Sequence, residues 1–100
     1  MRKTIFMLED WIEEEWMQYA KRLGVTLQRA RNKHGYSQAS VAGRAGISAF
    51  TYRKLEHGIS NPGHPANPRL RTLVALSRVL EIPLSELVEV APENNLYQTR

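Results

Sequence analysis

The side chains of this sequence best suited to chemistry are its cations, and their distribution suits them to a polyanion. Residues 21–80 hold eleven basic groups, Lys21, Arg22, Arg29, Arg31, Lys33, Arg44, Arg53, Lys54, Arg69, Arg71 and Arg78, against a single acid, Glu56. That block is net +10, whereas residues 1–20 and 81–100 are each net −3, and the whole chain is +4. Solvated surfaces normally mix both signs; one sign concentrated over so long a stretch makes a field that attracts phosphates and binds them by releasing their counterions. The constellations that catalysis needs are absent from the sequence. His34, His57 and His64 are too scattered to share a metal or to pair with a Ser and an Asp, and Glu13, Glu14 and Glu15 read as a solvated helix face rather than an acid/base pair. Cysteine is absent, which removes thiolate catalysis and zinc sites of the Cys type and fits a reducing compartment. Neither an enzyme nor a cofactor or metal site is expected.

A chain of 100 residues, 42% of them hydrophobic, can build one small core and has little left over for a large catalytic cleft. No apolar run approaches the roughly 18 residues of a membrane span. The basic start of the chain runs into Glu9 and Asp10 without a long apolar stretch or a small-residue cleavage site. A cytoplasmic protein, with no membrane contact, is the expectation.

The elements that must position the cations can be read from periodicity and punctuation. Leu8, Trp11, Ile12, Trp16, Tyr19 and Leu23 recur at spacings of three and four through a run of helix formers, which predicts a first amphipathic helix over 9–21. Its two indoles and a tyrosine are a large apolar stripe, suited either to packing on the domain or to a partner or dimer surface. Gly24 predicts a break, after which Val25, Leu27, Ala30 and Arg31 pattern a second helix closed by Gly35. Ser37 is placed to cap a third helix, Gln38 to Ala45, ended by Gly46; Ser48 is placed to cap a fourth, Ala49 to His57, ended by Gly58. Two short Ser-capped helices joined by a glycine turn make a helix-turn-helix unit. The stretch from Ile59 to Pro68 carries three prolines and a glycine and reads as an ordered loop, with Asn67 capping a fifth helix that Leu70, Leu73, Val74, Leu76, Val79 and Leu80 fill. Ser85 to Val90 predicts a short sixth helix, and Ala91 to Arg100 a polar tail. The organisation expected is an N-terminal extension over 1–22, a helix-turn-helix domain over 23–90 and a tail over 91–100.

The stretch from Gly35 to Gly58, with Ser37-Gln38, Ala42, Gly46, Ile47-Ser48 and Leu55-Glu56-His57-Gly58, resembles the helix-turn-helix of the XRE family, the DNA-binding domains similar to phage Cro and cI repressors. The likeness extends from about Leu23 to Leu87. It implies an all-α, compact five-helix repressor-like bundle, here with one extra N-terminal amphipathic helix. In such a unit the second helix of the pair lies in the major groove and the first crosses the backbone. A helix wheel of Ala49 to His57 turns Tyr52 and Leu55 toward Val41 and Ala45, and leaves Ala49, Phe50, Arg53 and Lys54 as the base-reading face. Arg53 and Lys54 can donate to guanine O6 and N7, while Ala49 and Phe50 can meet a thymine methyl.

Candidates for the DNA backbone are Ser37 and Gln38, the latter by resemblance a phosphate ligand, together with Ser48, Arg44 and the loop residues Asn61 and His64. The resemblance also implies a structural ion pair between Arg31 and Glu56, which positions the recognition helix and binds nothing. The chain departs from well-known members in three places: Ala49 and Phe50 stand where glutamine is common, Tyr52 replaces a branched aliphatic residue, and the Pro-rich loop is longer. These readings predict a sequence-specific regulator of transcription bound to double-stranded DNA as a homodimer. The alternative is an antitoxin-like module that holds a protein partner through Trp11 and Trp16, with DNA binding as autoregulation.

Overall fold

Between Arg2 and His34 the chain forms one unbroken helix, α1, where Gly24 predicted a break. The computed structural model describes residues 2–89, with side chains from residue 13 onward. Gly24 is buried at the crossing of α1 with the third helix: a Cβ on it would stand 2.3 Å from the carbonyl oxygen of Glu56. Glycine costs a helix interior about 1 kcal/mol relative to alanine, and here that cost is offset by the close approach of two backbones. The five-helix, all-α architecture therefore holds, with the first two predicted helices fused into one. Of the predicted apolar stripe, Trp16, Tyr19 and Leu23 can be followed, while Leu8, Trp11 and Ile12 lie outside the described side chains, as does the tail outside the described residues.

The remaining helices are α2 (Gln38–Ala45), α3 (Ala49–His57), α4 (Leu70–Leu80) and α5 (Leu84–Leu87). The caps of α2 and α3 are those the sequence predicts. Ser37 Oγ accepts from the Ser40 N–H and Ser48 Oγ from the Thr51 N–H, each at 3.0 Å. Gly46 and Gly58 close the two helices in the left-handed region, at φ 77° and 78°, where a side chain is disfavoured. Ile47 N–H returns to Ala42 O at 3.0 Å, which fixes the turn between α2 and α3.

One core ties the elements together. Tyr19, Ala20, Leu23, Leu27 and Ala30 of α1 meet Val41 and Ala42 of α2, Tyr52 and Leu55 of α3, Leu73, Leu76 and Leu80 of α4, and Leu87 of α5. Leu70, read from the sequence as part of the α4 packing face, is 65% exposed instead, because it begins the helix on its solvent side.

Between α3 and α4 the predicted loop holds a two-stranded antiparallel hairpin, β1 (Ile59–Asn61) and β2 (His64–Pro65), turned at Pro62 and Gly63. Proline is tolerated in so short a ribbon because both strands are edges and need not donate on their outer side. The hairpin is stapled to the helices through Ala66, whose N–H donates to Gly58 O and whose carbonyl accepts from the Trp16 indole, both at 2.9 Å. That anchoring keeps the chain extended to Arg69, so α4 starts at Leu70 with no side-chain cap, and Asn67 does not cap it. At the far end the Tyr19 hydroxyl donates to Leu87 O, fastening α5 to α1. The sixth predicted helix shortens to these four residues of α5, and Val90 lies outside the described residues.

Candidate nucleic-acid interface

The helix α3 is held by one face and presents the other. Tyr52 is fully buried and Leu55 nearly so, both against the core. Ala49 lies three residues before Tyr52 and six before Leu55, so it shares their side of the helix and packs partly buried against the core. It is therefore not part of a free outward face, and the spacing of three was the signal for this. Phe50, at 60%, is among the most exposed large apolar side chains among the described residues, and Arg53 is exposed beside it. Lys54 is half-buried because its ammonium sits over the Phe50 ring, 4.4 Å from the centroid.

Behind α3 lies a polar cluster that orients it. Arg31 Nε and Nη2 donate to the two carboxylate oxygens of Glu56 at 2.6 and 3.2 Å, a bidentate pair whose side chains are 14% and 4% exposed. Arg31 Nη1 also donates to Tyr36 O at 3.0 Å, which ties the end of α1 to the start of the helix-turn-helix. Burial alone would raise the Glu56 pKa; the hydrogen bonds from Arg31 and Gln38 and the neighbouring Tyr52 hydroxyl outweigh it, and the carboxyl lies below its usual value. The Tyr52 hydroxyl is buried with no partner in hydrogen-bonding geometry, and its burial beside the carboxylate pushes its pKa well up. Arg31 is raised by its hydrogen bond to Glu56, so the pair is fully ionised near neutral pH.

The predicted phosphate ligands are distributed differently from one another. Gln38 donates its amide to Glu56 Oε1 at 2.8 Å, so one of its two N–H bonds is committed inside the domain and one is left. Ser37 and Ser48 each accept one helix-cap bond, and Ser48 Oγ commits its single O–H donor to Thr51 Oγ1 at 2.9 Å. Arg44 leans on its own helix: Nε donates to Ser40 Oγ at 3.2 Å and the guanidinium stacks 4.5 Å from the Tyr36 ring centroid. Tyr36 also stacks with His34, at 5.1 Å and 9°. Asn61 and His64 are exposed at the hairpin tip, where the strands bring them opposite one another.

Two members of this surface were missed in the sequence. Tyr36 lies under the Arg44 guanidinium, and nothing in its spacing announces that contact. Arg69 lines one open groove with Phe50, Thr51 and Lys54 because the hairpin returns the chain to α3; its place in the basic block was the only available signal. Among the described residues no group of three or more His, Asp or Glu could hold a metal ion, and no described helix is long and apolar enough to cross a membrane. The family model described as a helix-turn-helix matches residues 27–87, which contain the whole of α2, the turn, α3 and the hairpin. No curated protein and no solved structure matches the chain.

Proposed function

The chain belongs to the XRE-type helix-turn-helix family of DNA-binding domains, and from that membership we propose that it is a sequence-specific regulator of transcription that inserts α3 into the major groove of double-stranded DNA. The observation that carries this reading is the outward face of α3, where Phe50 and Arg53 are exposed and the half-buried Lys54 lies over the Phe50 ring, on a helix whose other face is locked to the core. A rigid helix with two cations and a bare ring on its free side is suited to base edges, since guanine offers paired acceptors and thymine a methyl group. Ala49 supports the helix from the inward side and contributes at most its methyl edge to the contact. Gln38 with its remaining N–H, the capped N-termini of α2 and α3 at Ser37 and Ser48, Arg44 and Asn61 are the backbone contacts in this reading.

The protein acts as a homodimer in the cytoplasm, on a pseudo-palindrome whose half-sites lie about one helical turn apart. Selection of bound fragments from random DNA tests this directly, because it returns the site, its symmetry and its spacing together. In gel-shift titrations on the selected site, Arg53→Ala and Lys54→Ala are each expected to cost about 1–3 kcal/mol and to relax base preference. Unchanged affinity and preference in both variants would remove α3 from the groove. The antitoxin-like alternative leans on Trp11 and Trp16; the Trp16 N–H is committed to Ala66 O while its ring stays 36% exposed, and it is the family membership that favours DNA binding as the primary activity.

A further inference from the structure

Phe50 and Lys54 stand one turn apart on α3, and they are in contact: the ammonium lies 4.4 Å from the ring centroid while the ring itself is 60% exposed. This contact has a consequence for sequence preference that neither residue has alone. A phenyl ring has no hydrogen bond to offer, and the apolar feature a major groove presents to it is the thymine C5-methyl. An ammonium has three donors and no acceptor, and the base edge with two adjacent acceptors is that of guanine, at O6 and N7. No single base pair carries both features. Stacked base pairs are about 3.4 Å apart along a strand, a spacing that the 4.4 Å between ring centroid and ammonium can bridge.

Resting on the proposed docking of α3, we propose that Phe50 and Lys54 act as one reading unit for a T·A pair adjacent to a G·C pair, with the ring meeting the thymine methyl and holding the ammonium over guanine. Phe50 is then both a direct reader of thymine and a positioning residue for Lys54. The ring pre-places a side chain that otherwise has four freely rotating carbon–carbon bonds, and it lets the ammonium shed water before the groove is entered. Arg53 projects separately, without a ring contact, and reads outside this step.

The test uses the full chain and duplex probes in which each base pair of the selected half-site is replaced in turn. The parent is expected to lose about tenfold or more when either the thymine or the adjacent guanine is changed. Lys54→Met is expected to abolish the guanine preference and to leave the thymine preference. Phe50→Leu keeps an apolar contact but removes the ring quadrupole, so it is expected to keep the thymine preference and weaken the guanine preference about two- to fivefold. Thermal melts of both variants check folding, which the exposure of Phe50 favours.

A selected half-site with no T·A beside a G·C, or a Lys54→Met variant weakened equally on every sequence, would overturn the unit and make Lys54 a phosphate ligand. A guanine preference untouched by Phe50→Leu would overturn the positioning role. If the parent retards no duplex at all, the docking of α3 itself is wrong, and that result is distinct from binding with a different preference.

Discussion

Glu56 is the only acid among eleven bases in residues 21–80, and its charge is consumed inside the domain by Arg31 and Gln38. A carboxylate this buried is tolerable only while its partners remain, since removal of one partner leaves an uncompensated charge. Glu56→Gln keeps the shape, loses the charge and strands Arg31, so it is expected to destabilise the fold by about 3 kcal/mol at pH 7. The pH dependence follows from the direction of the shift. The folded-state pKa of Glu56 lies below its unfolded value, so its stabilisation is complete above the unfolded value and is lost as pH falls through the folded one. Urea melts of parent and variant should therefore differ by a constant amount from pH 7 down to the ordinary glutamate range and draw together as the pH falls below it. A difference that stays constant below that range as well would show that ionisation of Glu56 adds nothing to stability.

At the scale of elements, the close crossing of α1 and α3 is the feature on which the orientation of α3 depends. Gly24→Ala favours the helix by about 1 kcal/mol in propensity, yet it drives a methyl group into the backbone of Glu56, which cannot rotate away. The expected result is a net loss of about 2 kcal/mol or more, seen in thermal denaturation, together with weaker DNA binding as α3 is pushed from its seat. A stabilised variant would mean that the two helices can separate freely. This crossing also explains why one boundary in the sequence was misread. Gly24 looks like a stop in the chain's own punctuation, and only the partner backbone reveals it as a contact. Where the signal was local, it could be read: Ser37, Gly46, Ser48 and Gly58 each fix their own helix end by a side-chain cap or a positive φ. The hairpin could not be read, because its stability comes from Trp16 and Gly58, which bind Ala66 from distant positions in the chain. Within the candidate site, the outward turn of Phe50 and Arg53 was legible from the wheel of α3, whereas the inward turn of Ala49, the seating of Lys54 on the Phe50 ring and the capture of Gln38 and Arg44 by neighbours depend on tertiary packing.

For the whole molecule, the net charge of +4 understates the field that DNA would meet, because the acidic groups of residues 1–20 and 81–100 mask a central block of +10. Not all eleven bases of that block are available to phosphates. Arg31 is neutralised by Glu56 and Lys54 is engaged with Phe50, so the electrostatic part of binding falls to the rest. Each phosphate neutralised lowers affinity by about 3.5-fold between 50 and 200 mM salt, from a slope near −0.9 per contact. A salt titration therefore counts the contacts, and variants sort themselves by slope. Arg44, whose guanidinium lies over the Tyr36 ring at the end of α2, is a backbone ligand in the proposed docking. Arg44→Ala is expected to reduce the slope by about 0.9 per protomer while leaving base preference intact, since phosphate contacts position the protein and carry no sequence information. An Arg44→Ala slope equal to that of the parent would make Arg44 a solvated charge. A slope of zero for the parent would mean that the +10 block takes no part in binding.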